Sequence, residues 1–147
     1  MKTAIVYEST HHGNTKKLCD AIAQKFDVQL FDINDNVPFL DEYDFIGIAS
    51  GISFGKFYKN ILEKTSEFLP ENKKVFFIFT AGSPRESHAD AVKKIAELKN
   101  CKCLGSYFCK GFDTYGPFKI MGGINKNCPT EDDLKKVLEF YEKITQA

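Results

Sequence analysis

Residues 9–15 read Ser-Thr-His-His-Gly-Asn-Thr and lie between a short apolar run and the first helical pattern of the chain. Ser9, Thr10, Asn14 and Thr15 gather three hydroxyls and an amide around Gly13. A dianionic phosphate needs many short donors of this kind. It also gains from free backbone N–H groups and the dipole at a helix N-terminus. Gly13 has no β-carbon to obstruct the approach and tolerates positive φ. No Lys or Arg stands in the segment, so its donors are neutral apart from any charge on His11 or His12. Capping a helix takes one hydroxyl or Asx side chain, and four are present here. A nucleoside-triphosphate loop is excluded, because Gly13 is not followed by Lys-Ser/Thr. The stretch from Gly51 to Lys56 is one residue short of that motif, with Phe57 at its Ser/Thr position. A dinucleotide fingerprint would need three glycines in the first strand–helix turn, which has one. A lone phosphate with a flat ring system fits better than a dinucleotide such as NAD.

Two further loops could take the ring. Ser50-Gly51-Ile52-Ser53-Phe54-Gly55 offers backbone approach at its glycines and apolar faces at Ile52 and Phe54. Phe57 and Tyr58, at the following helix start, read as core. Thr80-Ala81-Gly82-Ser83-Pro84-Arg85-Glu86 presents Ala81 and Gly82, with Arg85 as a surface charge. No Ser-His-Asp set, Cys-His set or carboxylate pair is visible, so no catalytic residue is assigned. The five cysteines, Cys19, Cys101, Cys103, Cys109 and Cys128, form no Cys-x-x-Cys pair. Their odd number does not suit a disulfide framework. Cys101-x-Cys103 lacks the partners of a metal site, so reduced thiols and no metal are expected.

Strand and helix patterns alternate along the chain. Continuous apolar runs at Thr3–Tyr7, Val28–Asp32, Phe45–Ala49, Val75–Phe79 and Leu104–Cys109 predict five strands buried on both faces. Helical spacing appears at Leu18, Ala21, Ile22 and Phe26, at Ile61, Leu62, Thr65, Phe68 and Leu69, and at Val92, Ile95 and Leu98. The last helix carries Leu134, Val137, Leu138 and Tyr141. Ser87 and Thr130 are the expected caps of the last two helices, and His88 is expected simply to open the helix over 89–98. The pattern predicts a three-layer α/β sandwich with a five-stranded parallel sheet in the order 2-1-3-4-5, as a single domain over residues 1–147. A TIM barrel would need about 250 residues. Ligands of such sheets sit beyond the carboxyl ends of the strands where the winding reverses, which selects the three loops above. The 20-residue stretch from Lys110 to Pro129 also leaves that end. It is too apolar for disorder, with Phe112, Tyr115, Phe118, Ile120 and Met121, and is the candidate cover of the ring, with Tyr115 or Phe118 near it.

The 147 residues hold 20 basic and 20 acidic side chains, 43% hydrophobic and 14% aromatic residues. That composition excludes disorder, and the balanced charge argues against a dedicated nucleic-acid binder. No apolar run reaches the length of a membrane span, and Ala4–Tyr7 is too short for a signal sequence, so a cytoplasmic protein is expected.

The segment from Ser9 to Thr15 resembles the phosphate-binding loop of flavodoxins, and the strand–helix order resembles theirs along essentially the whole chain. Counting back from Gly13-Asn14-Thr15, the family's hydroxyl falls on Thr10, and the loop is one residue longer after the strand than in the commonest pattern. The loop from Ser50 to Tyr58 also resembles the flavin loop of flavodoxin-like protoporphyrinogen oxidases. Flavodoxins often stack a Trp here and a Tyr in the third loop. This chain has no Trp and no Tyr at those places. The resemblance implies non-covalent FMN held by residues 9–15, Ser50 to Gly55, Ala81 and Gly82. It also implies an electron carrier serving a reductase and an acceptor. The alternative is a flavin-dependent oxidoreductase such as a quinone reductase. The chain departs from the strongly acidic character of flavodoxins by its zero net charge.

Overall fold

The structure, a computed structural model, describes residues 2–10, 12–113 and 122–146. Eleven segments of regular backbone follow one another: β1 (Thr3–Glu8), α1 (Asn14–Lys25), β2 (Val28–Asp32), β3 (Phe45–Ser53), β4 (Lys56–Phe57), α2 (Lys59–Phe68), β5 (Lys74–Ala81), a 3-10 turn (Glu86–Ala89), α3 (Asp90–Leu98), β6 (Lys102–Lys110) and α4 (Glu131–Thr145). The sheet runs β2-β1-β3-β5-β6 with every neighbour parallel, and β4 adds an antiparallel edge to the end of β3.

The apolar runs become strands because both sides of the sheet are covered. Along β1, Ala4 and Val6 join a core with Ile46, Ile48, Phe77 and Phe79, closed by Ile61 and Phe68 of α2 and Val92 and Ala96 of α3. Ile5 and Tyr7 point the other way and pack with Phe76, Ile78, Leu18 and Ile22 of α1 and Val137 and Tyr141 of α4. Alternate side chains are thus buried in opposite layers, which is why the strands show no polar alternation. Tyr141 ties α4 to the sheet by a buried 2.8 Å hydrogen bond between its hydroxyl and that of Thr3.

Four details depart from the sequence reading. β3 runs on to Ser53 and folds back through β4, so the stretch expected as a loop is mostly a hairpin. Ser87 lies inside the 3-10 turn and caps nothing; α3 begins at Asp90 without a side-chain cap. Leu98 is 76% exposed, because α3 buries Val92 and Ala96 instead. The stretch after β6 pairs with itself through a bridge between Asp113 and Ile124. Thr130, by contrast, caps α4 as expected. Its hydroxyl accepts from Asp133 N–H at 3.1 Å, and the Asp133 carboxylate accepts from Thr130 N–H at 2.9 Å.

Candidate functional site

At the carboxyl ends of β1, β3 and β5 the three loops converge on a small cleft that is open to solvent. Winding reverses at β1, whose neighbours are β2 and β3, so the helices following β1 and β3 leave on opposite faces and the strand ends are not covered. The first loop contributes Ser9, Asn14 and Thr15, the hairpin Gly51, Ile52 and Tyr58, and the third loop Thr80, Ala81 and Gly82. Phe112 and Asp113, just past β6, complete the wall.

The first loop turns sharply. His12 and Gly13 both take left-handed backbone angles, with φ of 56° and 67°. For His12 that conformation is strained, and such strain gathers at ligand sites. The turn drops the chain into α1 with Asn14 and Thr15 buried at its first positions. Ser9 Oγ accepts from Lys16 N–H at 3.0 Å, so this hydroxyl does serve as a cap reaching across the loop. The Thr15 hydroxyl meets that of Thr80 at 2.9 Å, locking the first loop to the third in a buried contact. Asn14 donates from Nδ2 to the Phe112 carbonyl at 2.8 Å, while its Oδ1 is buried without a hydrogen-bond partner. An unpaired buried acceptor costs about 1–3 kcal/mol unless something supplies a donor. Thr10 is exposed and lies outside the cleft lining, as do His12 and Gly13. His11 lies outside the described residues, as do Tyr115, Phe118, Ile120 and Met121.

The hairpin splits the second set of candidates. Gly51 lies directly beneath the Tyr58 phenol, and its missing β-carbon is what lets that ring sit over the strand end. Ser50 is fully buried and used by the hairpin itself: its hydroxyl donates to the Gly51 carbonyl at 2.6 Å and accepts from Tyr58 N–H at 3.0 Å. Phe54 and Gly55 form the two-residue turn with φ of 52° and 79°. Two positive φ values mark the turn whose twist suits a hairpin. Phe54 is 100% exposed there and, with Ser53, borders a separate hollow against Lys56, Lys59 and Leu62 of the α2 side. Phe57 is core, as the sequence suggested, but Tyr58 lines the cleft.

Charge around the cleft is sparse. Among the described residues its lining contains one carboxylate, Asp113, and no Lys or Arg. Glu8 is buried nearby but already committed: its carboxylate accepts from Ile61 N–H at 3.0 Å and faces Asn60 Nδ2 at 3.4 Å, capping α2. In the third loop, His88 Nδ1 accepts from Arg85 N–H at 3.2 Å. Burial, followed by the Arg85 charge, holds His88 below its ordinary value. Burial raises the Cys19 thiol strongly and that of Cys109 to about 12, so neither is a thiolate at neutral pH. All five cysteines are free. Among the described residues no group of three or more His, Cys, Asp or Glu could hold a metal ion, and no helix is long and apolar enough to cross a membrane.

Sequence reasoning read Tyr58 as core and named neither Thr80 nor Asp113 as a site residue; Phe112 stood in the stretch from Lys110 to Pro129 expected as the cover, though Tyr115 or Phe118 was expected nearest the ring. Thr80 stood at the edge of a loop already selected, and its hydroxyl at a strand end was the available signal. Phe112 and Asp113 carry no local signal for contact with residues about a hundred positions earlier.

A β1-anchored turn feeding a buried Asn-Thr pair into a helix, beside two further strand-end loops, stands at the end of a doubly wound α/β sheet where such folds take their ligands. The sequence matches the Flavodoxin domain over residues 4–105, and the chain belongs to the flavodoxin family. It is 40% identical over 147 residues to an uncharacterized protein of Methanocaldococcus jannaschii, covering 98% of each chain. Its fold is similar to that of oxidised flavodoxin 1 from Bacillus cereus, with a TM-score of 0.72 at 15% identity over 99% of this chain and 98% of that one. It is similar as well to a Fusobacterium nucleatum flavodoxin variant bound to flavin mononucleotide, with a TM-score of 0.69 at 17% identity over 99% and 96% of the two chains.

Proposed function

We propose that this protein binds FMN non-covalently in the cleft and carries electrons between a reductase and an acceptor protein. The observation that carries the reading is the donor set at the first loop, with the buried Asn14 Oδ1 left unpaired beside it. Hydroxyls from Ser9 and Thr15 in the cleft, that of Thr10 exposed beside it and the N–H groups opening α1 suit a phosphate without needing a cation. The orphaned Asn14 acceptor suits a ligand hydroxyl, and FMN carries several on its ribityl chain. The ring then lies against Gly51 and Ile52 of the hairpin and Ala81 and Gly82 of the third loop, and Phe54, exposed at the hairpin tip outside the cleft lining, is its proposed cover. Ser50 and Gly55 hold that hairpin in shape, and His11, His12 and Gly13 shape the phosphate turn.

The flavin supplies reversible one- and two-electron chemistry, and the chain supplies binding, orientation and field. The protein groups facing the cleft are hydroxyls, amides, Tyr58 and Asp113, with no nucleophile–base pair among them. A carrier, which passes electrons through the flavin alone, is the reading proposed ahead of a flavin-dependent oxidoreductase with its own substrate. The free cysteines fit a reducing compartment, and the proposed setting is the cytoplasm.

The test is titration of the purified protein with FMN, followed by flavin fluorescence, and then anaerobic stepwise reduction of the complex. One FMN per chain and reversible reduction are expected. A protein that takes up no FMN ends the proposal. Rapid NAD(P)H-driven quinone reduction without a separate reductase replaces the carrier with the enzyme.

A further inference from the structure

Gly111 and Phe112 leave β6 and pass directly over the first loop. The Phe112 carbonyl accepts from Asn14 Nδ2 at 2.8 Å, and the Phe112 ring stacks on His12 with centroids 4.0 Å apart. Gly111 presses so closely that a β-carbon there would lie 2.6 Å from Asn14 Nδ2 and 2.9 Å from Asn14 Cγ. The passing segment is itself anchored. Gly111 N–H donates to the Ala81 carbonyl at 2.9 Å, and Asp113 and Ile124 exchange backbone hydrogen bonds of 3.0 and 2.8 Å. Asn125 Nδ2 adds a 3.1 Å bond to the Gly82 carbonyl.

This arrangement leaves Asn14 one orientation. Its amide nitrogen is tied to a carbonyl, and exchanging the two ends would set Oδ1 against another acceptor. The oxygen is therefore kept on the untied side, buried and unpartnered, in a residue that lines the cleft. Among the described residues no group within the first loop fixes it so; the tie comes from 98 residues away. We infer that Gly111–Phe112 is a positioning element: it holds the Asn14 side-chain oxygen ready for a hydroxyl donor of the bound molecule. The inference rests on the FMN reading above, and it names the part of the chain that prepares the site before the cofactor arrives.

A double-mutant cycle with FMN as the probe tests it. Gly111→Ala puts a methyl where the Asn14 amide stands and keeps the N–H bond to Ala81. It should weaken FMN about ten-fold, as should Asn14→Ala, the scale of one hydrogen bond. The double variant should be no weaker than Asn14→Ala alone. Equal losses from Gly111→Ala in both backgrounds, or no loss at all, overturn the inference, since a merely structural role predicts additivity. A second measurement needs no variant. In ¹⁵N-labelled wild type, one Asn14 side-chain amide proton should be protected from exchange without FMN and stay protected with it; loss of protection on binding also overturns the inference. A wild type that binds no FMN instead fails the proposed function and removes this inference with it.

Discussion

The two sides of the cleft are built on opposite plans. On one, the first and third loops are stitched together below the surface: Thr15 to Thr80, Asn14 to Phe112, Gly111 to Ala81. On the other, the β3–β4 hairpin is held by its two-residue ladder and by Phe57 in the core, with no side-chain hydrogen bond at its tip among the described residues, and raises Phe54 fully into solvent at a left-handed angle. The stitched side is a polar cradle whose parts fix one another. The hairpin keeps an aromatic ring where neither packing nor backbone preference favours it. Together they suit a ligand with a polar tail and an apolar head, rigidly held at one end and covered at the other.

The largest effect expected from this contrast belongs to the cradle. Replacing Thr10, Asn14 and Thr15 together by Ala should weaken FMN at least about a thousand-fold, since Thr10 and Thr15 each take away a donor worth roughly 1.5–3 kcal/mol to a charged group and Asn14 takes away the acceptor worth about ten-fold. Fluorescence titration reads the affinity. Thermal unfolding should show a much smaller loss, of about 1–3 kcal/mol, from the Thr80 hydroxyl left without its partner. Tight binding by the triple variant would mean the cradle is only a helix cap.

The hairpin should answer in the opposite sense. Phe54→Asn places a residue suited to left-handed angles before Gly55. With no burial to lose, the fold should gain about 0.5–1 kcal/mol, or roughly 2–4 °C in Tm. FMN affinity should fall about three- to ten-fold as the apolar cover goes. Gained stability with unchanged affinity would put Phe54 outside the site and break the contrast.

The contrast also explains what could be read from sequence. The parallel strands were legible because apolar runs buried on both faces leave an unmistakable signature, as in Val75–Phe79, where all five side chains are inside. Asn14 and Thr15 were legible because a turn packed with donors after a strand has a local chemical meaning. The hairpin was not, since Ser50–Tyr58 mixes small, polar and aromatic residues without a clean period, and Phe-Gly is an unusual pair for that turn. Leu98 misled because helical spacing marks a stripe but not its edge, and Ala96 took the buried place. The Gly111–Asn14 contact was hidden altogether, because nothing in either stretch refers to the other until β6 brings them together.

A smaller effect is expected from Asp113, the one carboxylate among the described residues of a cleft proposed to take an anion. Asp113→Asn should tighten FMN about two- to five-fold at low ionic strength, with the gain shrinking as salt rises. The backbone pairing of Asp113 with Ile124 does not depend on the side chain, so the strap should stay in place. Weaker binding would show that the carboxylate contacts the ligand as an acceptor, which would move the polar recognition beyond the first loop and into the strap.

The smallest effect is a pH dependence confined to the stitched side. His88 is buried, accepts a hydrogen bond from Arg85 N–H through its unprotonated Nδ1, and is held below its ordinary value by burial and then by the Arg85 charge. Its folded-state value lies below the unfolded one of about 6.5. The unfolded chain therefore takes up a proton that the folded chain refuses, and stability rises with pH across that interval. The contribution is complete above about pH 6.5 and is lost as pH falls toward the folded-state value. Amide exchange in the segment from Arg85 to Ala89 should quicken, after correction for the intrinsic rate, between pH 7 and 5.5. The hairpin from Ile52 to Phe57 has no histidine and should not follow. His88→Gln should flatten the response. If both segments loosen together, the two sides of the cleft are one cooperative unit, and the division between a stitched cradle and an independent hairpin fails.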